Sequence, residues 1–336
     1  MSRAQLTSTV EQNTGGAVAP FVAGKNFLAN GGFDIWQRGT SVAIANGNAY
    51  GADRWNDYFS VASITTSRQS TNDTTNLPNI QYCSRVQRNS GTTTTGTIWH
   101  TQSIESAQSI PLVGKTVTLS FYARAGANFS SSSNALTAAI TSGTGTDQNL
   151  LNGFTGSATT ASSTVTLTTN WQRFTVTGTV SSSATQVGVY FTYSATGTAN
   201  TNDYYEVTGV QLELGSVATS FSRAGGTLQG ELALCQRYYA QTYAGDSITM
   251  ANYTTANAYG TWRYPVPMRA APAILFTSAS NTTYFSNNSP QTPSALSYGN
   301  IAIASMELEI TGSFTQGYSG FVRLNNAGVI QASAEL

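Results

Sequence analysis

Val117-Thr118-Leu119-Ser120-Phe121-Tyr122-Ala123 alternates apolar and polar side chains with a period of two, and this stretch sets the fold class. Successive side chains of an extended chain point to opposite faces. Val117, Leu119 and Phe121 therefore mark a core face, and Thr118, Ser120, Tyr122 and Arg124 an outer one. Trp171 to Thr177, Val187 to Tyr193 and Val207 to Leu214 repeat the pattern. β-Branched and aromatic residues fill these runs, while Gly, Asn and Ser separate them. Regular short strands with little helix predict an all-β chain of sandwiches or jelly rolls. The Ser/Thr/Gly-rich stretch from Asn128 to Thr169 reads as strands joined by long surface loops.

One segment breaks the period. Thr227 to Tyr239 predicts a short helix, with Thr227 capping its start, Glu231 in the first turn and Arg237 in the last. Leu228, Leu232 (or Ala233) and Cys235 fall near one face. Gly225-Gly226 before it marks a boundary. Strands then resume. Trp262 to Pro267 is extended, with prolines that suit an edge. Met306 to Ile310 and Ser319 to Leu324 alternate, and Asn325 to Gly328 forms a turn. The expected plan is two β-sandwich, jelly-roll-like domains, residues 25–224 and 241–336, joined by a linker helix at 225–240. Met1 to Gly24 is small and polar, too poor in apolar residues for a domain of its own. It reads as a loose tail or, preferably, as an extended arm that orders against a partner and serves as an anchor.

Composition narrows the function classes. The 336 residues include 15 Lys and Arg against 15 Asp and Glu, so the net charge is zero. Charged residues are 9% of the chain, against about 25% in an average soluble protein. Steering toward nucleic acid or an anionic membrane is not supported. A surface of hydroxyls and amides suits dense packing beside copies of itself and contact with neutral polymers such as glycans. No apolar run has the length of a membrane span, and the first residues show no secretory core, so assembly in a cytosol is expected. Cys83 and Cys235 match no metal spacing and read as small buried hydrophobes.

Reactive clusters are scarce. His100 is the one histidine and sits mid-strand, which fits a hydrogen-bonded structural role. No GxSxG, phosphate loop or dinucleotide fingerprint occurs. Gly143 to Thr146 is a glycine-containing loop with no helix after it. Asp34, Asp53, Asp57, Glu206 and Glu213 offer carboxylates for a glycosidase pair, but without a spacing that selects two of them. No repeat of the kind that builds a β-helix is visible. The chain is expected to lack catalytic residues and to need no cofactor.

Asn26 to Thr40 is the most distinctive stretch, NFLANGGFDIWQRGT, followed by YGADRW at Tyr50 to Trp55. Asn30-Gly31-Gly32 requires a turn. Phe33, Ile35 and Gln37 are expected on one side of an extended chain, with Trp36 and Arg38 on the other. Asp34 or Asp53 is expected to pair with Arg38 or Arg54, bracing Trp36 and Trp55 as core anchors.

These runs, with VTGVQLELGSVATSFSRAG, ELALCQRYYAQTY, YPVPMRAAPAI and the terminal ASAEL, resemble bacteriophage tail-fibre and virion proteins that carry a carbohydrate-binding-module-like jelly roll. The resemblance spans Lys25 to Leu336. It implies a particle-bound structural protein, often a homotrimer, with other virion proteins as partners. It also implies a structural calcium, for which Asn30, Asp34 and Glu213 are the matching positions. An outward Tyr122, Arg124 and Tyr190 suits a platform for host surface glycans, and equally a subunit interface, where Tyr and Arg are enriched. Three functions follow: a fibre-like adhesin first, a capsid decoration protein gripping the shell through Met1 to Gly24 second, and a glycan depolymerase last.

Overall fold

The computed structural model describes residues 24–287, 289–326 and 329–336. Of the arm expected from Met1 to Gly24, residues 1–23 lie outside them, as does part of the turn expected at Asn325 to Gly328. The described chain is nearly all β and forms two compact units, which divide between Glu231 and Leu232; Leu336 groups with the first.

The first unit is built from β1 (Ser41–Tyr50), β2 (Asn56–Ser70), β3 (Tyr82–Arg88), β4 (Gly96–Ser103), β5 (Thr116–Ala125), β6 (Ala135–Gly143), β7 (Ala158–Thr166), β8 (Gln172–Thr179), β9 (Gln186–Ala195) and β10 (Tyr204–Leu214). Their order is β7-β6-β9-β4-β2-β3-β10-β5-β8, with β1 also on β2. All the pairs are antiparallel. The 15-residue β2 is the corner of the sandwich. Asn56 to Phe59 pair with β4, and Ile64 to Ser70 pair with β3, so one strand serves both layers. Between the layers, Phe121 of β5 meets Phe191 of β9 edge-on at 4.8 Å. Val117, Leu119, Val189, Val207 and Leu212 complete this core; Val207 and Leu212 are an odd number of residues apart and share it because β10 shifts register between Thr208 and Gln211.

The second unit pairs a seven-stranded with a three-stranded sheet. The larger contains β12 (Ser247–Asn252), β13 (Asn257–Arg263), β15 (Thr282–Ser286), β16 (Ser289–Gln291), β17 (Ala295–Gly299), β18 (Ser305–Thr311) and β19 (Ser319–Leu324). The smaller contains β11 (Tyr239–Gln241), β14 (Ala273–Phe276) and β20 (Ile330–Ser333). Met250, Tyr284, Leu308, Val322 and Ile330 lie in its core.

Two local expectations are corrected. The helix, α1 (Leu228–Gln236), is shorter than expected, because Tyr239 already opens β11. Thr227 does cap it, accepting from Gly230 N at 3.0 Å, but Leu228 is 51% exposed, and the buried pair is Glu231 and Cys235. At Trp262 the expected edge holds locally: β13 pairs with β18 there, but with β12 only at Ala258 to Gly260, and it ends before Pro265, which has no N–H to offer a ladder. The stretch from Asn30 to Gln37 is not an extended strand. Asn30 and Phe33 have φ of 56° and 55°, so the chain coils and Phe33, Ile35 and Trp36 are all buried.

Candidate functional site

The Asn26–Asp53 segment is a folding device. Asn30 spans its own loop, accepting from Ile35 N at 3.0 Å and donating to Ile35 O at 2.8 Å and Asp53 O at 3.0 Å. Trp55 and Trp36 are buried, and their indole N–H groups donate to Asn30 O and Phe33 O. Of the expected ion pairs, Arg38 reaches Asp53 at 4.0 Å. Asp34 instead takes Arg223 through two bonds at 2.7 and 3.1 Å, and Arg54 donates to Ser103 O at 2.7 Å.

The positions matched to calcium do not fit a cation. Asn30 Oδ1 accepts from Ile35 N, both Asp34 oxygens accept from Arg223, and both Glu213 oxygens accept from Thr219, with Gln211 donating to one of them. Oxygens already facing protein donors are poorly placed as ligands for a hard cation. Among the described residues no group of three His, Cys, Asp or Glu converges for a metal.

The proposed platform residues separate. Phe121 and Phe191 face each other across the core, so Tyr122 and Tyr190, their chain neighbours, stand on opposite outer faces. The outer face of β5 is also covered. Thr118 and Ser120 are buried; Thr118 donates to Gly215 O, and Arg173 reaches both Ser120 and Thr219 O. Tyr122 packs with Phe221 against Leu77, Ile80, Cys83 and Trp171. Arg124 donates to buried Glu206 at 2.5 Å and lies over the Trp171 ring at 4.6 Å. Burial pushes the Cys83 thiol pKa up, and both cysteines are buried. A distant segment closing over a strand leaves no trace in that strand's alternation.

Tyr190 lies in different company. On β2, β4 and β9, Tyr58 is directly opposite Trp99, and Tyr190 is one diagonal step away. The Trp99 and Tyr190 rings are 5.0 Å apart at 60°. All three are half-buried. With Thr141 of β6, Thr159 of β7 and the wall from Leu150 to Gly153 they line a cleft of about 380 Å³. The wall is pinned: Leu150 N donates to Ser103 Oγ, Leu151 N to Asn149 Oδ1, and Gln148 N to Gln186 Oε1. None of the lining side chains is charged. Sequence reading missed Tyr58 and Trp99; the usable signal was the alternation of Tyr58 with Asp57 and of Trp99 with His100.

The inward partners brace this face. Asp57 and His100 are opposite each other, fully buried, with Oδ1 and Nδ1 2.7 Å apart. The imidazole stacks on Trp55 at 4.7 Å and 11°. His100 thus holds the back of the sheet whose front carries Trp99.

Glu231 links α1 to the Asn30 turn, accepting from Gly225 N at 2.8 Å and from Asn30 N. Burial raises its pKa above the ordinary glutamate value of 4.5, against the lowering effect of the two backbone donors. The folded chain therefore binds this proton more tightly than the unfolded one, and this group's contribution falls as pH rises from 4.5 toward the raised value. The slope of stability against pH in that window is expected to become more positive in Glu231→Gln, read by urea unfolding across the acid range. An unchanged slope refutes the assignment.

No family model matches the chain, and no curated protein matches it. Among solved structures it is similar to the carbohydrate-binding module CBM4, at 20% identity over 55% of this chain and 98% of that one, with a TM-score of 0.32. It is similar to TmCBM61 in complex with β-1,4-galactotriose, at 12% identity over 56% and 99%, with a TM-score of 0.33. The enzymatically active domain of bacteriophage CBA120 tailspike protein 4 is similar at 12% identity over 56% of this chain and 21% of that one, with a TM-score of 0.33.

Proposed function

We propose that this chain is a non-enzymatic structural protein of a phage particle that holds a neutral host-surface glycan in the Tyr58–Trp99–Tyr190 cleft. One observation carries the binding reading: three aromatic side chains from three adjacent strands line a pinned, uncharged cleft on an outer sheet face. Aromatic rings accept the C–H faces of sugars, and the threonines beside them offer hydroxyl donors and acceptors. The charge distribution agrees. Asp53, Asp57, Asp203, Glu206, Glu213 and Glu231 are buried, so a chain already poor in charge shows even less of it to solvent. A cleft without carboxylates has no general acid and base for glycosidic cleavage, which favours binding over hydrolysis.

The particle assignment rests on the resemblance of the Asn26–Thr40 stretch and the later motifs to tail-fibre and virion proteins. On this reading the chain assembles with copies of itself, as a trimer, and with other virion proteins. Binding to arrayed bacterial surface polysaccharides tests the glycan. Trp99→Ala is expected to weaken it at least tenfold, about 1.4 kcal/mol, with the thermal transition retained. A folded wild-type chain that binds no glycan sinks the reading, and full binding by Trp99→Ala sinks the site.

A further inference from the structure

The second unit carries a groove that the first unit's cleft does not explain. β12 and β13 pair only from Met250 to Asn252 against Ala258 to Gly260. Toward Ser247 and Arg263 the pairing stops, and a hollow of about 650 Å³ opens between them. A second hollow of about 330 Å³ adjoins it, sharing Ala251 and Tyr259. Tyr253 stands at that end, 72% exposed, with its ring edge-on to Tyr259 at 5.8 Å and 83°. Tyr259 is fixed in place by donating its hydroxyl to Glu309 at 3.0 Å. Exposed Thr249, Thr261 and Arg263 line the larger hollow and Glu307 the smaller.

From the juxtaposition of Tyr253 and Tyr259 with Thr249, Thr261, Arg263 and Glu307, we infer that this groove is a second oligosaccharide-binding site. The chemistry selects the class. Two rings at one end offer a face for a pyranose ring, held at a fixed angle by the Glu309 bond. Two hydroxyls, a guanidinium and a carboxylate then give donors and acceptors along an opening that follows about six residues of strand, roughly 20 Å. One cation and one anion cancel, so the groove suits a neutral polyol rather than a charged polymer. The site goes beyond the first unit's cleft and stands without it.

Saturation-transfer NMR on the full chain separates the two sites. The probes are hexasaccharides of glucose, galactose and N-acetylglucosamine. The Trp99→Ala chain is expected to keep transfer to at least one hexasaccharide, and adding Tyr253→Ala is expected to reduce it at least fivefold. Tyr253 is exposed, so its loss leaves the core intact. Transfer that vanishes with Trp99→Ala alone overturns the second site and leaves the first standing. Residual transfer unchanged by Tyr253→Ala also overturns it. Transfer abolished by Tyr253→Ala and untouched by Trp99→Ala supports the groove and overturns the cleft. A wild-type chain that shows none with any of the three overturns both.

Discussion

Replacing Asp203 with alanine is expected to destabilise the first unit by about 3–5 kcal/mol, because it strands a buried cation. The Arg88 and Asp203 side chains are 0% exposed and meet at 2.9 Å. Arg88 also donates to Ser130 Oγ and to the carbonyls of Thr92, Thr94, Thr196 and Gly197. Asp203 Oδ1 takes Ser130 N at 3.0 Å. One ion pair therefore ties the end of β3 to the turns that lead into β4, β6 and β10. The carbonyls remain in Asp203→Ala, but they carry only partial charge, so the guanidinium loses the one full charge that compensates its burial. Asp203→Asn keeps the shape and one acceptor and is expected to cost less than alanine. Asp34→Ala breaks a pair whose arginine is 17% exposed, and water can take over that group, so it is expected to cost less still. Because the chain has two compact units, a single unfolding midpoint mixes them. Hydrogen exchange on peptides from β3 and β10 reads the first unit alone. Equal protection in Asp203→Ala and wild type would refute the role given to this pair.

Such a pair was invisible in the sequence, and the reason separates what is legible from what is not. β5, β9, β18 and β19 were readable because each has one face in a core, and burial imposes a period of two on the residues themselves. The helix was readable because Thr227 and Glu231 carry helix-start chemistry amid strands. Pairings between residues far apart in sequence are not periodic. Arg88 with Asp203, Arg124 with Glu206 and Arg223 with Asp34 all depend on which strands become neighbours. The outer faces were misjudged for the same reason. Tyr122 and Tyr190 alternate identically and are both half-buried, yet Tyr122 packs with Phe221 against Trp171 while Tyr190 lines a cleft. Trp99 and His100 are adjacent, and the sequence does not say which of the two faces inward. The two are one structure seen from its two faces: His100 pairs with Asp57 inside, and Trp99 sits opposite Tyr58 outside.

Gly31→Ala is expected to cost about 3 kcal/mol, and the reason lies in a bulge on the far side of the chain. β10 slips register between Thr208 and Gln211, with Gly209 at φ 58°. A bulge leaves one residue out of the ladder, and here it is Val210 whose backbone turns to the Asn26–Gly31 segment. Val210 N donates to Gly31 O at 2.9 Å, and Asn26 Nδ2 donates to Val210 O at 2.9 Å. A Cβ at Gly31 would overlap the Val210 carbonyl oxygen, a backbone atom that accepts from Asn26 and whose residue is also bonded to Gly31 through Val210 N. Neither strand can give without breaking buried hydrogen bonds, so the clash is not relieved by a rotamer change. Gly32 is the internal control. Its added Cβ would meet Asp34 Oδ2 at 3.0 Å and the Phe221 ring at 3.3 Å, side-chain ends that can shift. Gly32→Ala is therefore expected to cost about 1 kcal/mol, at the low end of overpacking. Hydrogen exchange on β10 peptides of the two variants decides the matter: the Gly31 variant should lose far more protection than the Gly32 variant, and equal protection would mean that the Val210 bulge does not lock the turn.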